Sequence, residues 1–361
     1  MNDQRSILRY GVIGVGMMGC EHIRNLLAIE DCEVVAYADL HEPSRQTAAS
    51  LVKTAKSYLD YREMLVTEKL DVVVIATPNH THRRVLEDVL KSGVDVLVEK
   101  PLCITADECL EVIAIEEQTR RPGRVVWVGL EYRFMAPTAR LISEVKSGTC
   151  GDLKMISIRE HRFPFLEKVD NWNRFSRNTG GTLVEKCCHF FDVMNLLAGS
   201  KPVTVYASGA QDVNHLDEMY EGERSDILDN AFVIVDYENG VRAMLDLSMF
   251  AEGSKNEQEI CVVGSNGKIE AMITDSIIRI GMRDRGRNGV AEILVQQPQG
   301  VVPGFHAGAS FLEHRAMQRA IRDQQPSEVT LQDGLVSVAI GQAAHISITQ
   351  HRSVKIAELI K

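Results

Sequence analysis

Residues 8–19 read Leu-Arg-Tyr-Gly-Val-Ile-Gly-Val-Gly-Met-Met-Gly, and this stretch decides the fold of the first part of the chain. An apolar run over residues 10–15 predicts a strand, and a helix-like amphipathic pattern follows the last glycine. Between the two, Gly14 permits a tight turn, Gly16 lets a pyrophosphate approach the backbone, and Gly19 lets the helix pack closely on the strand. Phosphates would then sit at the positive end of the helix, so the stretch predicts a dinucleotide-binding turn.

A carboxylate follows the second predicted strand, because Asp39 comes 20 residues after Gly19. At that position it would accept hydrogen bonds from the adenosine ribose and repel a 2′-phosphate, so we expect NAD rather than NADP. The alternative is a glycine-rich turn in another kind of doubly wound protein, in which Asp39 merely ends a strand. The candidate cofactor-binding residues of this region are Gly14, Gly16, Met17, Met18, Gly19, Asp39 and Leu40.

Short apolar runs alternate with helix-length amphipathic stretches through the first third of the chain. The predicted strands cover residues 10–15, 33–38, 71–76, 95–98 and 124–129, and the predicted helices cover 20–29, 42–51, 81–92 and 105–118. Strands that alternate with helices predict an α/β fold, here a doubly wound parallel sheet of the Rossmann type.

From about residue 153 onward, strand-like segments follow one another with few helices between them. They cover residues 155–160, 203–209, 231–237, 241–249, 259–263, 268–272 and 277–280. Asn239-Gly240 and Asn266-Gly267 favour tight hairpins, so we expect a largely antiparallel sheet in an α+β domain. We place a cofactor domain at residues 1–130 and a substrate domain at 131–361. The helices predicted at 309–322 and 331–350 are candidates for packing back on the first domain.

Composition excludes several classes of protein. The 361 residues contain 40 Lys and Arg against 50 Asp and Glu, a net charge of −10, whereas nucleic-acid and anionic-membrane binders need a positive excess. We find no apolar run of the ~18 residues that span a membrane and no signal-peptide core in residues 1–10, so we expect a cytoplasmic protein. The eight cysteines form no CxxC pair, and Cys187, Cys188 and His189 are consecutive helical residues that cannot converge on one ion. We therefore expect neither a disulfide framework nor a metal site.

Two further loops fall at the carboxyl ends of later strands, the edge at which doubly wound sheets bind ligands. The first loop contains Thr77, Pro78, Asn79 and His82, and the second contains Glu99, Lys100 and Pro101. We expect both loops to face the cofactor, so the candidate cofactor-binding residues here are Thr77, Pro78, Asn79, His82, Glu99 and Lys100. Beside a nicotinamide, desolvation and positive charge would disfavour the ammonium form of Lys100 and let it relay a substrate proton. The alternative is a surface ion pair between Lys100 and Glu99. Pro101, which can form a cis peptide, favours the functional interpretation.

A helix predicted at residues 180–198 carries a polar stripe. Glu185, His189 and Asp192 follow i, i+4, i+7 spacing, and the other positions are mostly apolar. Such a helix is buried, so the stripe must face a satisfied polar network or a polar cavity. His189 is a catalytic candidate because the two carboxylates share its face. Two interpretations stay open for Glu185, a catalytic role and a capping box with Thr182.

The segment before this helix is locally basic in an acidic chain. It holds five basic side chains, Arg159, Arg162, Lys168, Arg174 and Arg177, against the acidic Glu160, Glu167 and Asp170. Arginines can fork onto a carboxylate, sulfonate or phosphate, and a tryptophan offers a sugar its apolar face, which makes an anionic sugar a candidate substrate. The alternative is that the charges are solvated or paired locally. The candidate substrate-binding residues are Arg133, His161, Trp172, Arg174, Lys186 and Asp192.

Together these motifs resemble the Gfo/Idh/MocA oxidoreductases. The resemblance covers the whole chain and is carried by Gly14-x-Gly16-x-x-Gly19, Thr77-Pro78-Asn79 with His82, Glu99-Lys100-Pro101, and Gly180-Gly181 followed by His189-x-x-Asp192. It implies an N-terminal dinucleotide-binding domain, a C-terminal α/β domain with an open-faced sheet, a tightly held NAD or NADP, and dimers or tetramers assembled through that sheet. It also implies that His189 contacts the reacting hydroxyl with support from Lys100 and from position 185, where many dehydrogenases of the family have Asp instead of Glu.

Members of this family mostly oxidise or reduce a carbinol of a sugar, inositol or related polyol. The resemblance therefore predicts an NAD-dependent dehydrogenase with Lys100, His189 and Glu185 as catalytic residues, and the basic segment adds an anionic sugar as a candidate substrate. A minority of the family hydrolyse glycosides by transient oxidation, elimination, water addition and re-reduction, which is the alternative function. A third interpretation is a non-catalytic NAD-bound sensor.

Overall fold

The computed structural model describes residues 7–360 and divides them into two compact units. The first unit contains the chain up to residue 103, residues 107–131 and residues 300–335, and the second contains 104–106, 132–299 and the chain from 336 onward. Residues 300–335, predicted as part of the second domain, thus pack with the first unit, where Trp127 Nε1 donates to Glu313 Oε1 over 3.0 Å. Residues 1–6, which belong to the predicted first domain and to the stretch inspected for a signal peptide, lie outside the described residues.

The first unit is built on a parallel sheet with helices on its faces. Its strands, numbered along the chain, are β1 (Leu8–Ile13), β2 (Cys32–Ala38), β3 (Lys56–Tyr58), β4 (Val72–Ile75), β5 (Asp95–Glu99) and β6 (Val126–Gly129). Its helices are α1 (Met17–Leu27), α2 (Glu42–Leu51), α3 (Tyr61–Thr67), α4 (His82–Ser92), α5 (Ala106–Thr119) and, much later in the chain, α10 (Ala309–Arg322). The strand order β3-β2-β1-β4-β5-β6 confirms the predicted doubly wound fold.

The order reverses between β1 and β4, so the loops that leave these two strands diverge and open a crevice at their carboxyl ends. β4 is buried along its whole length, as expected for a central strand covered on both faces. The sequence did not predict β3, because this short strand is polar and largely exposed and pairs with β2 through backbone bonds alone.

The second unit is built on a nine-stranded sheet of order β16-β15-β14-β13-β7-β12-β11-β8-β17. Its strands are β7 (Leu153–His161), β8 (Pro202–Ala210), β11 (Asn230–Tyr237), β12 (Arg242–Ser248), β13 (Gln258–Gly264), β14 (Gly267–Met272), β15 (Ile277–Met282), β16 (Ala291–Leu294) and β17 (Val354–Lys355), with a separate hairpin of β9 (Met219–Tyr220) and β10 (Glu223–Arg224). Its helices are α6 (Ala136–Lys146), α7 (Ser176–Thr179), α8 (Thr182–Glu185), α9 (Cys188–Ala198) and most of α11 (Leu331–Gln350). Short 3-10 helices cover Asn79–Thr81, Glu131–Phe134, Val169–Arg174, Arg283–Arg285, Arg287–Gly289 and Ile356–Glu358.

This sheet is largely antiparallel, as predicted, although β7 pairs in parallel with β12. The dipeptides Asn239-Gly240 and Asn266-Gly267 join the antiparallel pairs β11–β12 and β13–β14, which confirms both predicted hairpins. Alternation along β11 buries Val233 and exposes Ile234, so one face of the sheet is core and the other is open. No helix within residues 7–360 has the length and apolarity that a membrane span requires.

The predicted helix at residues 180–198 is interrupted. It consists of α8 and α9, with Lys186 and Cys187 between them, and the Cys187 carbonyl accepts the N–H groups of Phe190 and Phe191 at 3.0 Å each. Gly199 ends α9 in the left-handed conformation, as expected of a glycine after the last apolar residue.

Candidate active site

The glycine turn after β1 leaves room for a phosphate-bearing ligand. Gly14 has φ +83°, and a Cβ there would lie 2.6 Å from the Ala76 carbonyl oxygen. A Cβ on Gly19 would overlap the Gly14 carbonyl oxygen, so helix α1 packs directly on the turn. A Cβ on Gly16 would meet no atom within 4 Å, and Gly16 immediately precedes Met17 and Met18 at the N-terminus of α1. Open space at a helix N-terminus fits the pyrophosphate of a dinucleotide.

Asp39 ties this turn to the end of β2. Its Oδ2 accepts the Val15 N–H at 2.7 Å, and its Oδ1 accepts the His41 N–H at 2.8 Å. Each carboxylate oxygen has a further lone pair, which leaves acceptors for ribose hydroxyls. The neighbouring Leu40 side chain is 79% exposed. Arg45, which the sequence did not single out, donates to the carbonyl oxygens of Asp39 and Leu40 at 2.7 and 3.0 Å.

The two later loops are joined by the buried side chain of His82. Its Nδ1 lies 2.8 Å from the Pro101 carbonyl oxygen, and its Nε2 lies 3.0 Å from the Thr77 carbonyl oxygen. Asn79 is buried in the first loop, and the Lys100–Pro101 peptide of the second loop is cis. His82 therefore supports the loops through their backbones.

Glu99 lies in the interior of the first unit, at one end of a chain of buried polar groups. Its Oε1 lies 2.9 Å from His22 Nε2, and its Oε2 accepts the Lys100 backbone N–H at 3.1 Å. His22 Nδ1 in turn lies 2.9 Å from His314 Nε2. Burial by itself would raise the pKa of Glu99, but the His22 hydrogen bond and the nearby positive charges of His22, Lys100 and His306 lower it to about 2. Burial, reinforced by His22, lowers the pKa of His314 well below its usual value.

Neither His22 nor His314 is among the candidate site residues predicted from the sequence. They lie 292 positions apart, and no local pattern indicates that they meet. A second pair of the first unit joins the half-buried His306 to the buried Glu131 at 3.0 Å, and this pair was also missed.

In the second unit, His189 lies face to face with Tyr132. The ring centroids are 4.0 Å apart with 7° between the planes, and His189 is 1% exposed. The Tyr132 hydroxyl accepts hydrogen bonds from Lys186 Nζ at 2.7 Å and from Gln258 Nε2 at 3.0 Å. Lys186 Nζ also lies 2.9 Å from Oε1 of Glu160. Tyr132, Glu160 and Gln258 were not predicted as site residues.

Two comparisons with known proteins can now be set beside this geometry. Residues 8–130 match the family model described as "Oxidoreductase family, NAD-binding Rossmann fold", and residues 142–356 match "Oxidoreductase family, C-terminal alpha/beta domain". The chain belongs to the Gfo/Idh/MocA oxidoreductase family. This confirms the predicted family, the enzyme class and NAD as the cofactor.

Curated relatives and solved structures match this Gfo/Idh/MocA chain over almost its full length. Myo-inositol 2-dehydrogenase of Thermotoga maritima is 27% identical over 98% of this chain and 100% of that protein. Inositol 2-dehydrogenase of Rhizobium meliloti is 25% identical over 97% of this chain and 99% of that protein. The structure of levoglucosan dehydrogenase in complex with NADH and levoglucosan superposes with a TM-score of 0.85 at 18% identity, over 97% and 99% of the two chains, which is a likeness of fold.

Several predicted substrate contacts of this oxidoreductase are engaged with other side chains of the second unit. Arg133 and Asp192 form a two-bond ion pair with each other, in which Arg133 Nε lies 2.6 Å from Asp192 Oδ2. Lys186 is buried against Tyr132 and Glu160, and its contact with a substrate stays a prediction. The sequence shows that Lys186 lies beside the polar stripe. It does not show that the buried carboxylate of Glu160 lies close enough to pair with it.

Three further substrate candidates occupy loop or sheet positions. Arg174 Nε lies 3.2 Å from Glu218 Oε2, and His161 Nε2 lies 3.0 Å from Asp246 Oδ1. Trp172 is half-buried in the 3-10 helix Val169–Arg174, and its carbonyl accepts the Asn178 side-chain N–H at 2.9 Å. Arg174 and His161 therefore each contact a carboxylate of the protein itself.

The start of α8 explains both glycines of the Gly180-Gly181 motif and settles the capping alternative for Glu185. Gly181 is the N-cap of α8, and the Thr182 hydroxyl donates to the Leu228 carbonyl oxygen at 2.6 Å, so Thr182 does not form the capping box. Glu185 itself is buried. Both glycines have positive φ, and a Cβ on Gly181 would overlap the ring of His345.

His345 holds the N-terminus of α8 as a hydrogen-bond acceptor. Its Nε2 accepts the Leu183 N–H at 3.1 Å, and burial lowers the pKa of His345 to about 4, so this ring is neutral at pH 7. His345 therefore has a structural role at the start of α8.

Proposed function

We propose that this NAD-dependent oxidoreductase is a dehydrogenase for a secondary alcohol of an uncharged cyclic polyol or sugar. The observation that carries the proposal is the buried imidazole of His189, held face to face with Tyr132. Histidine is the side chain best suited to exchange a proton with a hydroxyl near pH 7. The full-length curated relatives named as inositol dehydrogenases support the same substrate class.

The first unit supplies the residues that would hold NAD. The turn of Gly14, Gly16 and Gly19 offers the pyrophosphate open space and a helix N-terminus, and Asp39 offers acceptors to the ribose hydroxyls. Bound NAD supplies the acceptor for the hydride that leaves the substrate carbon.

We assign the substrate hydroxyl proton to His189 and Lys100. An imidazole nitrogen of His189 accepts the proton, and the Lys100 ammonium stabilises the negative charge that develops on the oxygen. Glu99 supports Lys100 by accepting its backbone N–H, and the pair of loops is held by His82. Glu185, buried one turn before His189, is assigned to tuning the charge of the site.

The pairing of the arginines favours an uncharged substrate over an anionic one. Arg159 binds Asp246 and Glu259, Arg174 binds Glu218, and Arg177 binds Glu223. Arg133 binds Asp192. Arg133–Asp192 is the buried pair among these, so an anionic sugar that took Arg133 would remove this ion-pair partner from a buried carboxylate. Arg159 and Arg177 are at least half exposed, and their ion pairs carry less weight in this argument.

The test is reduction of NAD⁺, followed at 340 nm, with myo-inositol, scyllo-inositol and levoglucosan set against glucuronate and galacturonate. We expect NADH with at least one neutral compound and no faster reaction with the uronates. Lys100→Met and His189→Ala should each lower kcat by about 10²-fold or more, as expected for loss of a proton-transfer group. The matched controls are the exposed Lys53→Met and His351→Asn, which should leave kcat unchanged.

The proposal is wrong if no neutral polyol reduces NAD⁺. Cleavage of a 4-nitrophenyl glycoside that requires NAD but yields no net NADH would support the hydrolase alternative. Full activity of His189→Ala would remove the proton-transfer role of this residue.

We also propose that the open face of the second-unit sheet joins two copies of this chain. Phe232 and Ile234 are 59% and 45% exposed on β11, and Ile234 lies opposite Tyr206 and Met244 on the two neighbouring strands. Contiguous exposed apolar side chains of this kind mark protein interfaces. Ile234→Asp should convert the oligomer to monomer in size-exclusion chromatography with light scattering, whereas Asp236→Asn, exposed on the same strand, should not. A monomeric wild-type protein would contradict the proposal.

A further inference from the structure

The orientation of His189 is determined by a neighbouring aromatic ring. The imidazole and the Tyr132 phenol are nearly parallel at 4.0 Å, and both rings are buried. Tyr132 comes from the 3-10 helix Glu131–Phe134, whereas His189 is in the first turn of α9. One face of the imidazole is therefore covered by a side chain from a different segment, and the ring cannot turn about its χ2 torsion without displacing Tyr132.

Tyr132 is itself held by two donors. A phenol oxygen has two lone pairs, and here Lys186 Nζ and Gln258 Nε2 approach that oxygen at 2.7 and 3.0 Å. Lys186 precedes α9, and Gln258 begins β13. The hydroxyl is thus fixed from two directions, and the plane of the phenol is fixed with it.

Burying the ammonium of Lys186 costs desolvation free energy, so its position in the interior calls for a structural reason. Its ammonium is in the interior beside Glu160 Oε1, whose residue is fully buried on β7, and Arg162 lies 3.6 Å from the same oxygen. An apolar side chain would fill this space without the desolvation of two charges. The ion pair instead delivers a strong, charge-assisted donor to the Tyr132 hydroxyl.

We propose that Tyr132 is a positioning residue for His189, and that Lys186, Gln258 and Glu160 form the support that holds Tyr132 in place. The phenol face fixes the plane of the imidazole, so the ring nitrogens of His189 are offered to a substrate hydroxyl in one orientation. The face of the phenol also stabilises the imidazolium that forms when His189 takes a proton. This inference rests on the proposed role of His189 in proton transfer.

The test combines kinetics with a spectroscopic signature of the stacked rings. In carbon–proton spectra of histidine-labelled protein, the ring protons of His189, assigned by their absence in His189→Gln, should be shifted upfield by the phenol. Tyr132→Leu should abolish this shift and lower kcat by about 10–100-fold with little change in KM, the size expected when a reacting group is misplaced. Tyr132→Phe retains the ring but loses the hydroxyl that Lys186 and Gln258 hold, so it should keep a reduced upfield shift and lower kcat to about the same extent as the loss of the Lys186 donor does.

Three further variants separate positioning from general packing. Phe191→Leu replaces a buried aromatic on another side of α9, and it should lower the melting temperature without changing kcat or the His189 resonance. Lys186→Met leaves Glu160 buried without its ammonium, so the double variant Lys186→Met/Glu160→Gln, which removes both charges, is measured beside it. We expect the double variant to fold and to lower kcat at nearly constant KM.

The inference is overturned if Tyr132→Leu keeps the wild-type kcat or the upfield His189 resonance, or if Phe191→Leu lowers kcat as much. A fully active His189→Ala would instead refute the proposed proton transfer. The spectra would still report whether Tyr132 orients the ring, so the two failures are distinguishable.

Discussion

Replacing His22 by leucine should remove a pH-dependent part of the stability of the first unit. His22 is the buried partner of Glu99 at 2.9 Å, and leucine has a similar volume but no donor. In the native protein the pKa of Glu99 is lowered from its usual 4.5 to about 2 despite burial, mainly by the His22 hydrogen bond. This difference corresponds to about 3 kcal/mol of stabilisation at pH 7.

The sign follows from the direction of the pKa change. A carboxylate whose pKa is lowered by folding stabilises the native state above its unfolded pKa, and this contribution fades as the pH falls toward the folded pKa. Wild type should therefore lose the Glu99 contribution between about pH 4.5 and pH 2, whereas in His22→Leu the effect of burial on the pKa of Glu99 is no longer offset by His22, so Glu99 adds no stability there to be lost. From pH 4.5 to pH 3.5 the difference in unfolding free energy between the two proteins should shrink by about 1 kcal/mol.

The chain offers a clean reporter for this measurement. It has two tryptophans, and Trp127 is fully buried in the first unit. In a Trp172→Phe background, urea unfolding followed by fluorescence reports the first unit alone. Glu99→Gln, with and without His22→Leu, completes a double-mutant cycle. The difference in unfolding free energy between these two variants should not change over this pH range. The pH-dependent stability would not come from Glu99 if the unfolding free energy difference between wild type and His22→Leu stayed constant from pH 4.5 to pH 3.5. The same conclusion would follow if this difference shrank equally in the Glu99→Gln background.

Two other predictions use single contacts of the cofactor turn and of α8. Asp39→Asn should raise the KM for NAD by about tenfold, because it removes the charge proposed to bind the ribose hydroxyls. It should also reduce the preference for NAD over NADP. The control Asp60→Asn, which changes the N-cap of α3, should alter neither the KM for NAD nor this preference. An unchanged cofactor preference would contradict the role of Asp39. Gly181→Ala should destabilise the protein by more than about 2 kcal/mol in thermal unfolding, because the residue has φ +86° and its Cβ would overlap His345. Gly148→Ala has a similar φ of +80° but open space around its Cβ, so it should cost only about 1 kcal/mol, and equal losses for the two variants would refute the packing argument.

The sequence predicts the fold well where the determinants are local. The helices at 42–51 and 309–322 and the hairpins at Asn239-Gly240 and Asn266-Gly267 follow from periodicity and turn chemistry, and the structure has them at those positions. The strand β3 was missed because its conformation is imposed by its neighbour β2. The break between α8 and α9 was missed because the apolar pattern continues through Cys187 and Cys188.

From the sequence, the separate loops and the one helix face of the candidate site can be predicted, but not the contacts between distant segments that complete it. Spacing places His189 on a polar stripe, but it does not show what that stripe meets. Tyr132 lies 57 positions before His189 in the sequence, and the donors that hold its hydroxyl come from positions 186 and 258. Long-range partners of this kind have no local signature, so sequence reasoning omits the residues that support the candidate histidine.

The basic segment shows why charge counted along a sequence is a poor guide to a binding site. Its excess of arginines is real in the sequence, but Arg159 meets Asp246 across 87 positions and Arg174 meets Glu218 across 44. The folded chain brings the compensating carboxylates from other strands and loops, so the local charge is set by topology. Lys186 likewise has Glu160 beside it and Arg133 is paired with Asp192, so these two buried positive charges already have carboxylate partners, whereas Arg159 and Arg177 form their pairs at exposed positions. A neutral polyol needs none of them to be released, which is the physical reason for preferring it.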